Sequence, residues 1–158
     1  MSTEEFRITK LRNYLINVLE NIVDTNKFQI NADFLGSNNK VIEENYSLNK
    51  IPTVSTVERW ITGLEIHKDV YSFRSRKGYS QDVMNNLANI GFFEQFERII
   101  KLNNDNGVLP DINGIQSIEC LNCGTLLNVD GTEATFDIQV QITYRETEEG
   151  GVMSLWKR

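Results

Sequence analysis

Hydrophobic and polar positions alternate most cleanly toward the end of the chain. Phe136, Ile138, Val140, Ile142 and Tyr144 fall on one side of an extended run, and Asp137, Gln139, Gln141 and Thr143 on the other. This is the two-residue period of a strand with one buried face. The Asp130-Gly131 pair ahead of it is a strong hairpin signal, so residues 115–127 and 133–144 are predicted to pair as antiparallel strands. Near the other end the period becomes helical. Behind a Ser2–Glu5 capping-box spacing, Phe6, Leu11, Leu15, Leu19, Ile22 and Val23 recur on one face. A second helix is predicted after Ser80, a good N-cap, with Asp82 near its positive end and Val83, Leu87, Ile90, Phe93, Ile99 and Leu102 as its buried stripe. Gly91 inside that helix costs about 1 kcal/mol relative to Ala, which predicts a kink or a close helix crossing there.

The middle of the chain is less regular. Residues 27–34 alternate, with Phe28, Ile30, Ala32 and Phe34 on one side, and residues 36–39 read as a turn. In residues 40–56, Tyr46, Leu48 and Ile51 suggest a short strand and Pro52 a bend or an edge. Residues 57–66 are rich in β-formers and lead into a strand through Val70, Tyr71 and Phe73. Leu64 and Ile66 have the opposite parity to Tyr71 and Phe73, so a bulge or break is expected near Lys68 and Asp69. The order helix, strands, helix, hairpin predicts an α+β domain over residues 1–147. Its mostly antiparallel sheet has about four to five strands, with two helices packed on one face. Residues 148–158 form a tail or arm: a glycine-containing hinge and then Val152, Met153, Leu155 and Trp156, read either as a frayed end or as a segment that docks on a neighbour.

Composition narrows the function. The 158 residues are 40% hydrophobic and 24% charged, ordinary for a soluble globular protein. A formal charge of -6, from 22 acidic and 16 basic residues, argues against a dedicated nucleic-acid binder, which needs a basic face. No apolar run approaches the roughly 18 residues of a membrane helix, and residues 1–7 are acidic where a signal peptide would be basic. A reducing cytoplasm is the expected place of synthesis.

Candidate chemistry is sparse. Cys120 and Cys123 form a CxxC, but two cysteines and the single His67 supply at most three of the four ligands of a structural zinc site. A redox pair also favours a helix N-terminus, where the dipole lowers a thiol pKa; this pair falls in a strand or turn. Cys120 is therefore read as a small core residue beside Ile118 and Cys123 as a turn residue, ahead of a redox role or an intersubunit metal. His67 has no Ser, Cys or carboxylate partner in a recognised spacing, and no GxSxG, P-loop, GxGxxG or HExxH occurs. Asp82, Glu94 and Glu97 read as solvated helix positions. Neither enzymatic activity nor a cofactor is expected. Arg74, Arg76 and Lys77 concentrate positive charge at the predicted strand-to-helix turn, as a solvated turn, as partners of acidic neighbours, or facing DNA in a channel. Phe92 and Phe93 lie about 100° apart on a helix, so one is expected in the core and the other at its margin or on a neighbour.

The run FRSRKGYSQDVMNNLANIGFFEQF, the NNDNGVLP turn and the CLNCGTLLNVDGTEATFDIQVQITY hairpin together resemble a family of phage and prophage proteins of Gram-positive bacteria, the minor capsid or tail terminator (tail completion) proteins. The resemblance covers residues 3–144 and rests on segment order and these phrases. It implies a tail-terminator-like fold and a structural virion protein without cofactor. Such a protein forms a hexameric ring that caps the tail tube, stops its polymerisation and joins the tail to the head, neck or collar. The implied partners are further copies of the chain, the tube protein, a head, neck or collar protein and, in a contractile particle, the sheath; DNA would at most pass through the lumen. The place of assembly would be the host bacterial cytoplasm, with no membrane involved. A head-completion or neck protein that contacts the portal is the alternative within the virion, and a small cytoplasmic CxxC thiol or metal-binding protein the alternative outside it. The family hairpin does not depend on cysteines, and residues 145–158 have no counterpart in it. The candidate subunit or partner interface comprises Arg74, Arg76, Lys77, Phe92, Phe93, Gln139, Gln141, Thr143 and Trp156, with the three polar β residues meeting a neighbour or lining the channel.

Overall fold

A computed structural model describes residues 3–23, 28–33, 35–36, 38, 44–52, 56–78 and 83–147. The chain runs α1 (Thr3–Glu20), β1 (Phe28–Ala32), β2 (Glu44–Ile51), β3 (Thr56–Arg59), β4 (Leu64–Gly78), α2 (Val83–Asp105), β5 (Ile115–Asp130) and β6 (Glu133–Thr147). The strands form one six-stranded sheet in the order β1-β2-β4-β6-β5, with β3 paired to the end of β4 beyond β2. Only β1 and β2 are parallel. The fold is thus α+β as expected, with one more strand than the upper expectation because residues 56–66 divide into β3, a turn and the start of β4.

The long β4–β6 pair is the frame. Its register runs without a break from Leu64 opposite Thr147 to Gly78 opposite Glu133. The parity conflict near Lys68 and Asp69 is therefore not resolved by a bulge. β4 stays regular, Asp69, Tyr71, Phe73, Ser75 and Lys77 share the core face, and Leu64 and Ile66 take the other face, half-buried. The register shifts lie elsewhere, four in the β5 edge strand and one in β3. Edge strands accommodate bulges because only one ladder is disturbed.

Both helices lie on the core face. α1 buries Leu11, Tyr14, Leu15, Val18 and Leu19. α2 buries Phe92, Phe93, Phe96 and Ile100, whereas Leu87, Ile90 and Leu102 of the predicted stripe are exposed. The helix is rotated from the predicted face because four aromatic-rich positions offer more area to bury than three leucine-type ones. Both phenylalanines go inside: Phe92 sits over Tyr46, 6.2 Å between ring centroids, and Phe93 against Phe136 at 5.1 Å. The stack Tyr46–Phe73–Phe96, at 5.2 and 5.5 Å, joins β2, β4 and α2 through the centre. At Gly91 a side chain would meet nothing within 4 Å and α2 is continuous, so the close crossing expected there is absent. A hydrogen bond from Asn103 Nδ2 to the Tyr14 hydroxyl, 3.2 Å, ties the helices together.

β2 was read only as a short strand, yet it is an interior one, with Tyr46 and Leu48 in the core. Asn45 and Ser47 on its other face are also buried. The connection from β1 crosses that corner: Asn38 donates to the Arg76 carbonyl (3.1 Å), Asn45 donates to Asn38 (2.9 Å), and Arg76 Nε donates to the Gly36 carbonyl (2.9 Å). The predicted caps Ser2 and Ser80, together with Asp82, Phe34, the Val83 side chain and the tail at 148–158, lie outside the described residues.

Two glycines with positive φ separate backbone strain from collision. At Gly131 (φ 64°) a Cβ would meet nothing, whereas at Gly114 (φ 80°) it would run into the Arg145 carbonyl oxygen, whose own amide donates to the Gly114 carbonyl at 2.8 Å. Gly131→Ala is expected to cost about 1 kcal/mol, and Gly114→Ala about 3 kcal/mol, because a backbone collision adds to the left-handed penalty. Denaturant melts of the two variants check the difference; equal losses would contradict it.

Candidate functional site

The residues that could act on something outside the chain fall into four groups, set by the two faces of the sheet. On the helix-free face, beyond Leu64, Ile66 and Val70 of β4, most side chains of the central strands are polar. β6 contributes Asp137, Gln139, Gln141 and Thr143, β4 contributes Lys68, Ser72, Arg74 and Arg76, and β2 contributes Asn45, Ser47 and Asn49, as their registers require. They are knitted laterally: Ser72 donates to Asp137, Arg74 lies 4.0 Å from Asp137, and Gln141 donates to Glu119 on β5 at 2.8 Å. Of the predicted interface residues, Arg74, Arg76, Gln139, Gln141 and Thr143 share this face. Arg74 stands out from it, whereas Thr143 is buried between its neighbours.

The expected basic turn does not exist as a cluster. Arg74, Arg76 and Lys77 all belong to β4, and strand alternation sends Lys77 to the opposite face from the two arginines. There it is 6% exposed and compensated from every side. Its ammonium donates to Glu44 Oε1 and to the Tyr46 hydroxyl, both at 2.9 Å, and lies 3.6 Å from the Phe92 ring centroid. Burial lowers the Lys77 pKa and raises that of Tyr46 well above its ordinary value, with Glu44 opposing the first shift and adding to the second. Lys77, Phe92 and Phe93 are thus parts of the core and offer no surface in this chain. Trp156 lies outside the described residues.

A second buried ionic group was not anticipated. Asp69 is fully buried on the core face of β4, with Arg7 Nε 3.6 Å and Lys50 Nζ 3.9 Å away, and it accepts a hydrogen bond from the Tyr144 hydroxyl at 3.0 Å. The Tyr144 ring is sandwiched between the Arg7 guanidinium, 4.7 Å from its centroid, and the His67 ring at 5.3 Å. His67 does have a carboxylate partner, Glu65, at 3.0 Å. The two are alternate residues of one strand and so share a face. The parity of Asp69 with Tyr71 and Phe73 was the available signal for its burial. Beside the cluster, Phe6, Arg7, Leu64, Ile112, Tyr144 and Arg145 line a recess of about 490 Å³. Of its polar groups Arg7 pairs with Asp69 and lies 3.9 Å from Glu146, and the arrangement braces α1 against β4 and β6.

The third group is apolar and exposed. α2 runs antiparallel to β5: Asn104 accepts from the Ile118 amide at 2.9 Å, and a Cβ on Gly124 would come within 2.6 Å of the Phe93 ring. The turns before Phe93 therefore lie level with the far end of β5. In this part of the molecule Leu126 and Val129 of β5, 43% and 46% exposed, stand on the helix-bearing side opposite Phe136 and Ala134, and α2 exposes Ile90 (53%) at its margin and Leu87 (54%) on its outer side. The last group is the CxxC. Cys123 is a strand residue of β5, not a turn residue, and its thiol donates to the Phe93 carbonyl at 3.3 Å. Cys120 packs against the core as expected, and its pKa is raised by the Cys123 side chain beside it and then by burial.

Among the described residues no group of three or more His, Cys, Asp or Glu side chains could hold a metal ion, and no helix is long and apolar enough to cross a membrane. The buried phenols set the pH response. Tyr46, Tyr71 and Tyr144 all have pKa values raised above 10.0, chiefly by burial. A raised acid favours the folded state while it is protonated, so this contribution is whole below pH 10 and is lost as the pH climbs from there toward the folded-state values. Tyrosinate absorbance and far-ultraviolet circular dichroism, followed together, are expected to change in one cooperative step above pH 10; phenols that ionise while the fold persists would contradict this. Arg7→Leu, which strips Asp69 of its nearest cation, is expected to cost about 3 kcal/mol in a denaturant melt; a loss within about 0.5 kcal/mol, as at an ordinary surface site, would show that the pair does not brace the fold. No protein-family model matches the chain, and a search of curated proteins finds none that matches it.

Proposed function

We propose that the chain is a structural virion protein, a tail terminator whose copies close into a homohexameric ring on the last ring of a tail tube. The ring stops tube polymerisation and presents its other side to a head, neck or collar protein. The single observation that carries the reading is the exposure of large apolar side chains on α2 and the neighbouring strand β5: Leu87, Ile90, Leu126 and Val129. Exposed apolar side chains that gather on one side of a protein mark an interaction surface, and Leu126 stands opposite Phe136, itself in contact with Phe93. A ring needs a heterologous contact that closes, and a lateral apolar margin on a one-sided sandwich suits that contact.

Two features support the reading further. The helix-free sheet face is polar and laterally hydrogen-bonded, as fits a surface that meets water, a lumen or the tube. The α+β arrangement with both helices on one face agrees with the tail-terminator-like architecture implied by the resemblance of residues 3–144. In this reading DNA touches the protein only in passing, through the lumen, and the protein resides in the virion after assembly in the host cytoplasm.

The double variant Ile90→Glu/Leu126→Glu tests the assignment, because charges at exposed positions change stability by only about 0.5 kcal/mol each while burying them in an interface is costly. Wild-type protein is expected to give rings of about six subunits on tube ends in negative stain, and the double variant to fold normally but leave the tube ends bare. Rings of normal frequency with the double variant would overturn the assignment of this surface.

A further inference from the structure

We propose that Cys120 and Cys123 are a reversible oxidation site, closing to an intrastrand disulfide on reaction with a small-molecule disulfide. In a regular strand, residues three apart point to opposite faces. Here the register slips between Cys120 and Asn122, so that Cys120 stands opposite Val140 and Cys123 opposite Ile138, and both cysteines take the core face. Three residue steps on β5 are thereby compressed into two on β6, a separation of about 7 Å along the ladder. A disulfide needs Cα atoms within roughly 4.4–6.8 Å, so a small inward bend suffices. β5 already carries four register shifts, and among the described residues no strand lies beyond it to resist. Both cysteines are free and only partly buried. A bridge at the limit of favourable geometry is easily reduced again, which distinguishes a switch from a staple.

The steps balance. The Cys123 thiol loses its proton, and its sulfur attacks one sulfur of a disulfide such as oxidised glutathione, forming a mixed disulfide and releasing one glutathione thiolate. Cys120 then loses its proton, and its sulfur attacks that of Cys123, closing the bridge and releasing the second glutathione. Two protein thiols are oxidised and one disulfide is reduced to two thiols. The hydrogen bond with the Cys123 side chain is the largest cause of the raised Cys120 pKa, and burial the next. Closing the bridge also removes the proton that Cys123 donates to the Phe93 carbonyl, untying α2 from β5 at that point.

The experiment uses the full chain with oxidised glutathione, read by intact mass and peptide mapping after alkylation of free thiols. The expected product has lost two hydrogens, carries no glutathione, contains a 120–123 bridge and returns to two alkylatable thiols with dithiothreitol. Cys120→Ser and Cys123→Ser should each gain one glutathione and hold it. Amide exchange should quicken around Phe93 in the bridged protein and not in reduced controls. Wild-type protein that accumulates glutathione adducts without closing, or that links to a second copy instead, would overturn the proposal. These readouts need no ring, so they stand apart from the assignment of the virion role.

Discussion

Everything in this fold depends on the unbroken pairing of β4 with β6. A one-residue slip of β4 in that register would turn Tyr71 and Phe73 outward and bring Arg74 and Arg76 toward the core while Ile138 and Val140 stayed inside. The register is held by apolar packing at its centre, where Phe73 stacks under Phe96, and by charge at its ends, where Asp69 meets Arg7 and Lys77 meets Glu44. Buried pairs of this kind add little net stability, because desolvation offsets most of the attraction. What they add is a heavy penalty for any alternative that leaves one partner unpaired.

The same alternation distributes function. One sheet face is committed to the helices, and the other is left polar. Lys77 illustrates how completely position overrides residue type: it is one residue from Arg76, yet the ammonium sits over an aromatic ring in the core while the guanidinium bonds to the Gly36 carbonyl on the opposite side. A charge cluster in the sequence is thus divided by strand geometry into a structural residue and two surface ones. The exposed apolar residues Leu87 and Ile90 of α2 and Leu126 and Val129 of β5 are where assembly is proposed to occur.

Much of this was legible in the sequence, and the failures share a cause. The alternation in β6, the Asp-Gly hairpin and the apolar face of α1 each report on one element alone, and each holds in the structure, except that Phe6 at the start of the α1 face is 44% exposed. The missed features depend on partners distant in the chain. The side of α2 that turns inward is decided by Tyr46, Phe73 and Phe136, so its phenylalanines proved to be core and its leucines surface. β2 became an interior strand because β1 pairs beyond it. Asp69 is buried because Arg7, Lys50 and Tyr144 converge on it from three other elements. The CxxC sits on one face through slips in β5 that the hydrophobic pattern does not reveal.

We propose that this chain is a ring-forming cap at the end of a tail tube. Gold labelling of a tagged copy in intact particles, viewed by electron microscopy, tests it most directly. The account predicts label confined to the head-proximal end of each tail, with several labels on one ring. Label spread along the tube, confined to the distal tip, or missing from particles altogether would contradict it.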